Sequence, residues 1–357
     1  MLFALPAPPA VAHAAATLSN VRPPGGQPFR SALMPSLVYV ANAPANSITA
    51  YASNAAGYAT PVLTLQGPLT GLDGPVGLTF DSQGRLYVVN HGASSSVTVY
   101  APFAHGNVAP LRTLAGPQTG LNDSAQPPDY PTGAIAVDLA HNRMFVARVS
   151  QEKASLNGTV LVFPATAAGD QAPSTAIGPP TGVGAQWTTP GIDFETGQGL
   201  VVGSNFNACC HGTDGWSYYR ENDLASTGRF VYYENFGLNG LAVAPSTGAI
   251  VAIYDFVLDV WPPDVMGTGD CSVCEQSNTP ALTLQDPLRA GFTAVTVDAN
   301  DTTWALSGSS ALEAFPAGST TPRVITGLVG ASALAVMPSV VVGGRPFATS
   351  STVRFAH

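Results

Sequence analysis

The chain has a single lysine, Lys153, against twelve arginines and 22 acidic residues, and its formal net charge is −9 over 357 residues. With charged residues at only 10% and no basic cluster, nothing is available to neutralise a phosphate backbone, so no nucleic-acid partner is expected. Hydrophobic residues make up 45% of the chain, yet no run approaches the ~20 apolar residues of a membrane-crossing helix. The apolarity therefore belongs to many short buried strands. The Gly-x-Ser-x-Gly elbow of serine hydrolases is absent, and so is a phosphate-cradling glycine loop. The six histidines (His13, His91, His105, His141, His211 and His357) are scattered. The sequence thus assigns no catalytic residue, no metal and no cofactor.

Cysteine is scarce as well, with four residues in two tight pairs, Cys209-Cys210 and Cys271-Ser272-Val273-Cys274. Even, short-range pairing fits oxidised loop staples in an exported protein. Cross-blade bridges and a soft-metal site using His211 and Asp214 are the alternatives. Residues 1–36 form an Ala/Pro-rich arm in which Ala12-His13-Ala14 has the form of a signal-peptidase site. No basic residue precedes that site and prolines interrupt the apolar run, so a signal and a plain Pro/Ala arm both remain open. An extracytoplasmic location, periplasmic or secreted, is the expectation.

What the chain does have is a repeated phrase. Val38-Tyr39-Val40-Ala41-Asn42 and Leu86-Tyr87-Val88-Val89-Asn90 are each followed by a second short strand, Ser47 to Ala52 and Ser96 to Ala101. A Pro-led strand and a Gly-led strand complete the cycle. Aligning the bulky residue of the opening strand gives Tyr39, Tyr87, Phe145, Val201, Val251 and Trp304, a period of about 50 residues. Four short strands per period, repeated six times, predict a six-bladed β-propeller over residues 37–338. The chain enters on a second strand and leaves on an innermost one, so Ala333 to Met337 is expected to complete the first blade and join the ends of the ring. Residues 339–357 then form a tail. Val340 to Val342 and Thr352 to Phe355 form a small hairpin around Gly343-Gly344 or dock on a partner in one reading; an added edge strand or a loose tail is the other.

Leu86 to Asn90, Ser96 to Tyr100, Pro110 to Leu114 and Gly133 to Asp138 together resemble the NHL-repeat family, especially its bacterial exported members. The resemblance spans roughly residues 37–338 and is clearest in the first two repeats. It implies a propeller fold and leaves the activity open, since propellers serve as enzymes, receptors and scaffolds alike.

Propeller ligands generally sit at the mouth of the central channel, where innermost strands begin and second strands end. On that face the sequence places Asn90, His91, Arg148, Asn239 and Asp255 as candidate ligand-binding residues. Arg148 could hold a carboxylate and His91 could act as a base. The competing reading of each Asn is that it satisfies backbone groups in the turn that follows its strand. Asp81, Asp138, Glu195 and Asp298 end innermost strands on the opposite face, and their periodicity assigns them to turn capping. Leu238-Asn239-Gly240-Leu241-Ala242 resembles the metal-binding Asn motif of gluconolactonase-type hydrolases, but Pro75-Val76-Gly77 and Thr293 stand where that group carries acids. The leading functional expectation is a non-enzymatic binding or scaffold module for a protein, glycan or envelope partner, with an oligomer or larger assembly left open. The alternative is a gluconolactonase-like hydrolase or lyase at the channel mouth. Aromatic residues at Trp216, Tyr218 and Tyr219 and at Tyr232 and Tyr233 could anchor a partner, and packing between blades is the expectation.

Overall fold

The computed structural model describes residues 36–121, 133–148, 156–157, 159–178, 186–188, 191–195, 199–206, 213–221, 224, 229–233, 238–254, 256–262, 273–275, 280–338, 341–342 and 345–346. The architecture is all-β: six antiparallel blades, with two three-residue 3-10 turns, Ala43–Ala45 and Pro117–Thr119, among the described residues. Blade 1 runs from its innermost strand Pro75–Phe80 outward through Leu86–His91 and Ser95–Tyr100 to Arg112–Leu114. Blade 2 is Ile135–Asp138, Arg143–Arg148, Thr159–Pro164 and Thr175–Ile177. Blade 3 is Ile192–Glu195, Gly199–Phe206, Thr213–Tyr219 and Arg229–Tyr233. Blade 4 is Leu238–Val243, Ile250–Tyr254, Val257–Trp261 and Leu282–Gln285, and blade 5 is Phe292–Val297, Thr303–Ser307, Ala311–Phe315 and Arg323–Thr326. In blade 6 the innermost strand is Ala331–Val336, which pairs antiparallel with Leu37–Asn42 in the register Tyr39 to Ala335. Ser47–Ala52 and Leu63–Gln66 complete it.

The near-continuous apolar character of the strands follows from this arrangement. Alternate side chains of one strand serve two different interfaces, so both faces are buried. In the second strand of blade 1, Leu86 and Val88 face a cluster shared with blade 6, whereas Tyr87 and Val89 face a cluster shared with blade 2. The buried hydrophobics of the described residues fall into six such clusters, one per interface. Tyr39, Tyr87, Phe145, Val201, Val251 and Trp304, the residues that align the repeat, are all buried within them. Trp216 and Tyr219 are also buried, and Trp216 packs against Trp261 with ring centroids 6.1 Å apart across the blade 3–4 interface.

A second device couples the blades. The loop between the third and fourth strands reaches back and lies parallel to the outer strand of the preceding blade. Gly57–Tyr58 pairs with Ile325–Thr326, Gly106 bridges to Leu65, Gly169 bridges to Leu114, and Val273–Glu275 pairs with Phe230–Tyr232. At the blade 1–2 junction, Gly169 N–H donates to the Thr113 carbonyl at 2.8 Å and Ala115 N–H donates to the Gly169 carbonyl at 3.0 Å. Arginines reinforce two of these clasps. Arg112 stacks over Tyr87 and donates to the Ala165 carbonyl, while Arg323 stacks over Trp304 and donates to the carbonyls of Ser53 and Ala55.

Beyond the last innermost strand, Val341–Val342 pairs with Arg345–Pro346 around Gly343-Gly344. The turn is where the sequence places it, but the partner strand is nearer than residues 352–355. Four long loops that the sequence inserts into the repeat, 122–130, 151–157, 205–214 and 263–279, lie outside the described residues except at 156–157, 205–206, 213–214 and 273–275.

Candidate functional site

The mouth of the channel is framed by the loops that carry the chain from the outer strand of one blade to the innermost strand of the next. Two of these loops have the same sequence plan, Gly67-Pro68-Leu69-Thr70-Gly71-Leu72 and Gly116-Pro117-Gln118-Thr119-Gly120-Leu121. In each, the buried Thr hydroxyl donates to the carbonyl of the leading glycine at 2.7 Å and accepts from the N–H of the closing leucine. The turn is thereby tied internally and its tip is left outside. Leu69, at such a tip, is 61% exposed; Leu288 and Val329, on the loops entering blades 5 and 6, are 48% and 78% exposed. Phe256, in the turn joining the second and third strands of blade 4, is 51% exposed, and its carbonyl accepts from Asp286 N–H at 2.9 Å. Exposed apolar side chains thus follow one another over three successive junctions, 4–5, 5–6 and 6–1.

The residues expected to form a polar ring have separate situations. Asn90 is fully buried; its side-chain N–H groups donate to Ser96 Oγ at 3.3 Å and Thr98 Oγ1 at 3.1 Å, and its oxygen accepts from Asp73 N–H at 3.1 Å. Asn42 donates in the same way to Ser47 Oγ and Thr49 Oγ1. The recurring Asn therefore cross-links the end of the second strand to the third. His91 is exposed, with Nδ1 3.2 Å from Ser95 Oγ. Arg148 ends its strand opposite Thr159, and Asn239 is exposed at the bulge between Leu238 and Gly240. Asp255, Cys209, Cys210 and Cys271, together with the side chains of Arg148 and Cys274, lie outside the described residues. The backbone of Cys274 lies opposite Val231 on the outer edge of blade 3.

On the opposite face three of the acids cap their turns, and the turn that follows Glu195, residues 196–198, lies outside the described residues. Asp81 accepts from the N–H groups of Gln83 and Arg85 at 2.9 and 3.0 Å, and Asp298 accepts from Asn300 and Thr302 at 2.9 and 3.0 Å. Asp138 accepts from His141 N–H at 3.1 Å. These three cap their turns and use the second carboxylate oxygen for a cross-strand donor: Arg85, Arg143 or the Trp304 indole. Glu195 has a different setting. It lies two residues beyond Asp193 on the innermost strand of blade 3, so both carboxyls share one side of that strand. Asp193 accepts from Phe194 N–H and, across the interface, from Val243 N–H of blade 4, both at 2.8 Å. Burial pushes the Asp193 carboxyl up to about 6, and burial together with the Asp193 charge pushes Glu195 up to about 8. Near neutrality the pair therefore presents one anion and one acid. No periodic signal separates Glu195 from the capping acids, although the preceding Asp193 breaks the apolar pattern of the innermost strands.

Asp138, His141 and Glu221 bring ligand atoms within 4.8 Å of one another at the blade 2–3 junction. Arg143 already donates to the same Asp138 oxygen that His141 Nδ1 approaches at 2.9 Å, and it also donates to the Glu221 carbonyl at 2.8 Å. A cation there would have to displace the guanidinium, so the arrangement acts as an inter-blade ion-pair network.

No protein-family model and no curated protein matches the sequence. Solved structures of similar shape include a protein of unknown function from Bacteroides caccae, at 9% identity and a TM-score of 0.49, covering 85% of this chain and 99% of that one. The PQQ-bound aldose sugar dehydrogenase from Streptomyces coelicolor is 14% identical with a TM-score of 0.46, covering 73% of this chain and 84% of that one. The WD40 propeller domain of Doa1 is 10% identical with a TM-score of 0.42, covering 73% and 84% respectively. These likenesses assign no role to the chain; its own strand topology makes it a six-bladed β-propeller.

Proposed function

We propose that this propeller is an exported, non-enzymatic binding module of the NHL-repeat type that seats a protein partner on its channel-mouth face. The observation that carries the reading is the arc of Leu69, Leu288 and Val329, with Phe256 beside it, held on hydrogen-bonded loops over a packed scaffold. Apolar side chains presented together on one face of a soluble fold mark interaction sites. Three of these four side chains are aliphatic, which suits apolar protein side chains better than sugars, whose rings favour stacking on Trp or Tyr. Trp216, Trp261 and Trp304 are buried in the blade interfaces.

The test is quantitative capture from native extract with wild type, with Leu69→Asp/Leu288→Asp/Val329→Asp, and with Leu111→Asp as a control at an exposed position away from the mouth. A protein held by wild type and by the control but lost from the triple variant supports the reading. Equal capture by all three refutes it. Export and local disulfides belong to the same proposal and rest on Ala12-His13-Ala14 and the two cysteine pairs; the mass of the mature N-terminus and thiol titration with and without reductant test them. A second reading, a hydrolase or lyase, draws support from the Asp193–Glu195 pair, because neighbouring acids held at different pKa values are suited to proton transfer. Turnover of a lactone or ester panel, abolished by Glu195→Gln, is the result that would favour it.

A further inference from the structure

The loop entering blade 5 departs from the plan of its counterparts. Where the others have Gly67-Pro68 and Gly116-Pro117, it has Asp286-Pro287. Asp286 is buried, and its carboxylate accepts from the N–H groups of Leu288 at 2.7 Å and of Ala290 and Gly291 at 2.8 Å, and from Ser307 Oγ–H at 3.0 Å. The loop is folded around this one carboxylate.

The blade beneath it departs in step. In blade 1, Asn90 reaches from the second strand to Thr98 on the third, and Thr98 lies opposite Val88. The corresponding residues of blade 5 are Ser307 and Glu313, with Glu313 opposite Ala305. Glu313 is fully buried, and neither of its carboxyl oxygens meets an N–H or O–H donor. In the register of blade 5 it stands to Ser307 as Thr98 stands to Asn90, and Ser307 is bonded to Asp286, so the two carboxyls are neighbours. Two carboxyls can share a hydrogen bond only if one of them carries a proton. Asp286, already the acceptor of four donors, is the accepting partner.

We propose that the loop of residues 286–291 is latched by a shared proton: protonated Glu313 donates to the Asp286 carboxylate, and loss of that proton frees the loop and the mouth residue Leu288 that it carries. Other charged groups are engaged elsewhere. Arg323, on the neighbouring strand, is turned to the Trp304 ring and to the Ser53 and Ala55 carbonyls. Arg289 is exposed. In blade 4, Asp259 accepts from Thr283 Oγ1, and Tyr254 packs in the cluster facing blade 3. Asp298 is bound to its own turn and to the Trp304 indole. Burial and the Asp286 charge push the Glu313 carboxyl from 4.5 up to about 8. Because the closed loop holds a proton that the open one releases, opening becomes easier as pH rises from about 4.5 to about 8 and levels off above that.

This latch does not depend on what the mouth binds. It is tested by amide hydrogen exchange of Leu288, Ala290 and Gly291 in the full-length protein between pH 5.5 and 8, corrected for intrinsic rates. Wild-type protection is expected to fall by about tenfold per pH unit. In Glu313→Gln, whose amide donates to Asp286 without titrating, protection should be independent of pH. A flat wild-type profile, or a variant that tracks wild type, overturns the proposal. An infrared difference spectrum of wild type minus Glu313→Gln at pH 7 supplies a second readout: a protonated carboxyl band is expected, and its absence refutes the shared proton.

Discussion

Replacing Gly116 by alanine should loosen the blade 1–2 clasp by an amount that its neighbours fix. Gly116 has φ 133° and ψ 169°, a region in which a side chain is strained at a cost of ~1–3 kcal/mol. A Cβ there would also fall 2.4 Å from the Asp170 carboxyl carbon. Asp170 accepts from Gln118 N–H at 2.7 Å, and pushing it aside forfeits about 1 kcal/mol at this exposed position. The expected loss for Gly116→Ala is therefore ~2–4 kcal/mol. Gly169 is the internal control: it has φ 66°, and a Cβ there meets nothing within 4 Å, so Gly169→Ala should cost only the left-handed backbone, ~1–2 kcal/mol. Urea unfolding midpoints at unchanged m-value measure both. In a double-mutant cycle, Asp170→Gly, which removes the Cβ at 2.7 Å together with the carboxyl, should relieve the contact, so the pair should be coupled by about 1 kcal/mol. Equal losses for the two glycine variants, or strict additivity in the cycle, would refute the reasoning. The same geometry recurs at Gly67, where a Cβ would lie 2.4 Å from Asn107 Oδ1, and at Gly327 against the Tyr58 ring.

Two further outcomes follow from the candidate site. Asn90→Ala leaves Asp73 N–H without its acceptor and opens a cavity, so it should lower stability by ~1–3 kcal/mol, whereas His91→Ala, exposed, should change it by less than ~0.5 kcal/mol; equal unfolding midpoints for the two would contradict the structural role of Asn90. Glu195 binds its proton more tightly in the folded state, so its contribution to stability declines as pH climbs from about 4.5 to about 8 and is constant above. Unfolding midpoints from pH 5 to 9 should accordingly fall less steeply in Glu195→Gln than in wild type, and parallel curves would show that the residue is not held protonated.

Much of the architecture was legible because a propeller repeats its solution six times. The bulky residue of the second strand recurs at Tyr39, Tyr87, Phe145, Val201, Val251 and Trp304 because each must fill the same inter-blade space. The Asn that follows it recurs for a local reason, the bond to a third-strand Thr, which is why Asn42 and Asn90 repeat while blade 5 has Ser307. The clasp left a signal too: Gly57, Gly106 and Gly169 each precede a proline by four residues, and each has a positive φ. That spacing was readable, but its consequence was not, since the strand it pairs with belongs to another blade and, at Gly57, lies more than 250 residues away.

The sequence by itself determined the number of blades, the order of strands within them and the apolar interfaces between them, because these follow from periodicity and from local turn chemistry. Turn capping by Asp81, Asp138 and Asp298 was legible in their periodicity, and only the tertiary structure decided which cross-strand donor or neighbour each acid meets. Asp81, Asp138, Glu195 and Asp298 occupy equivalent places in the repeat, yet two are paired with an arginine, Asp298 is bonded by the Trp304 indole, and Glu195 is placed beside Asp193. Asp286 and Glu313 are 27 positions apart and belong to no motif. Charge and proton occupancy depend on burial and on the nearest dipoles, which are properties of packed space and cannot be read from spacing along a chain.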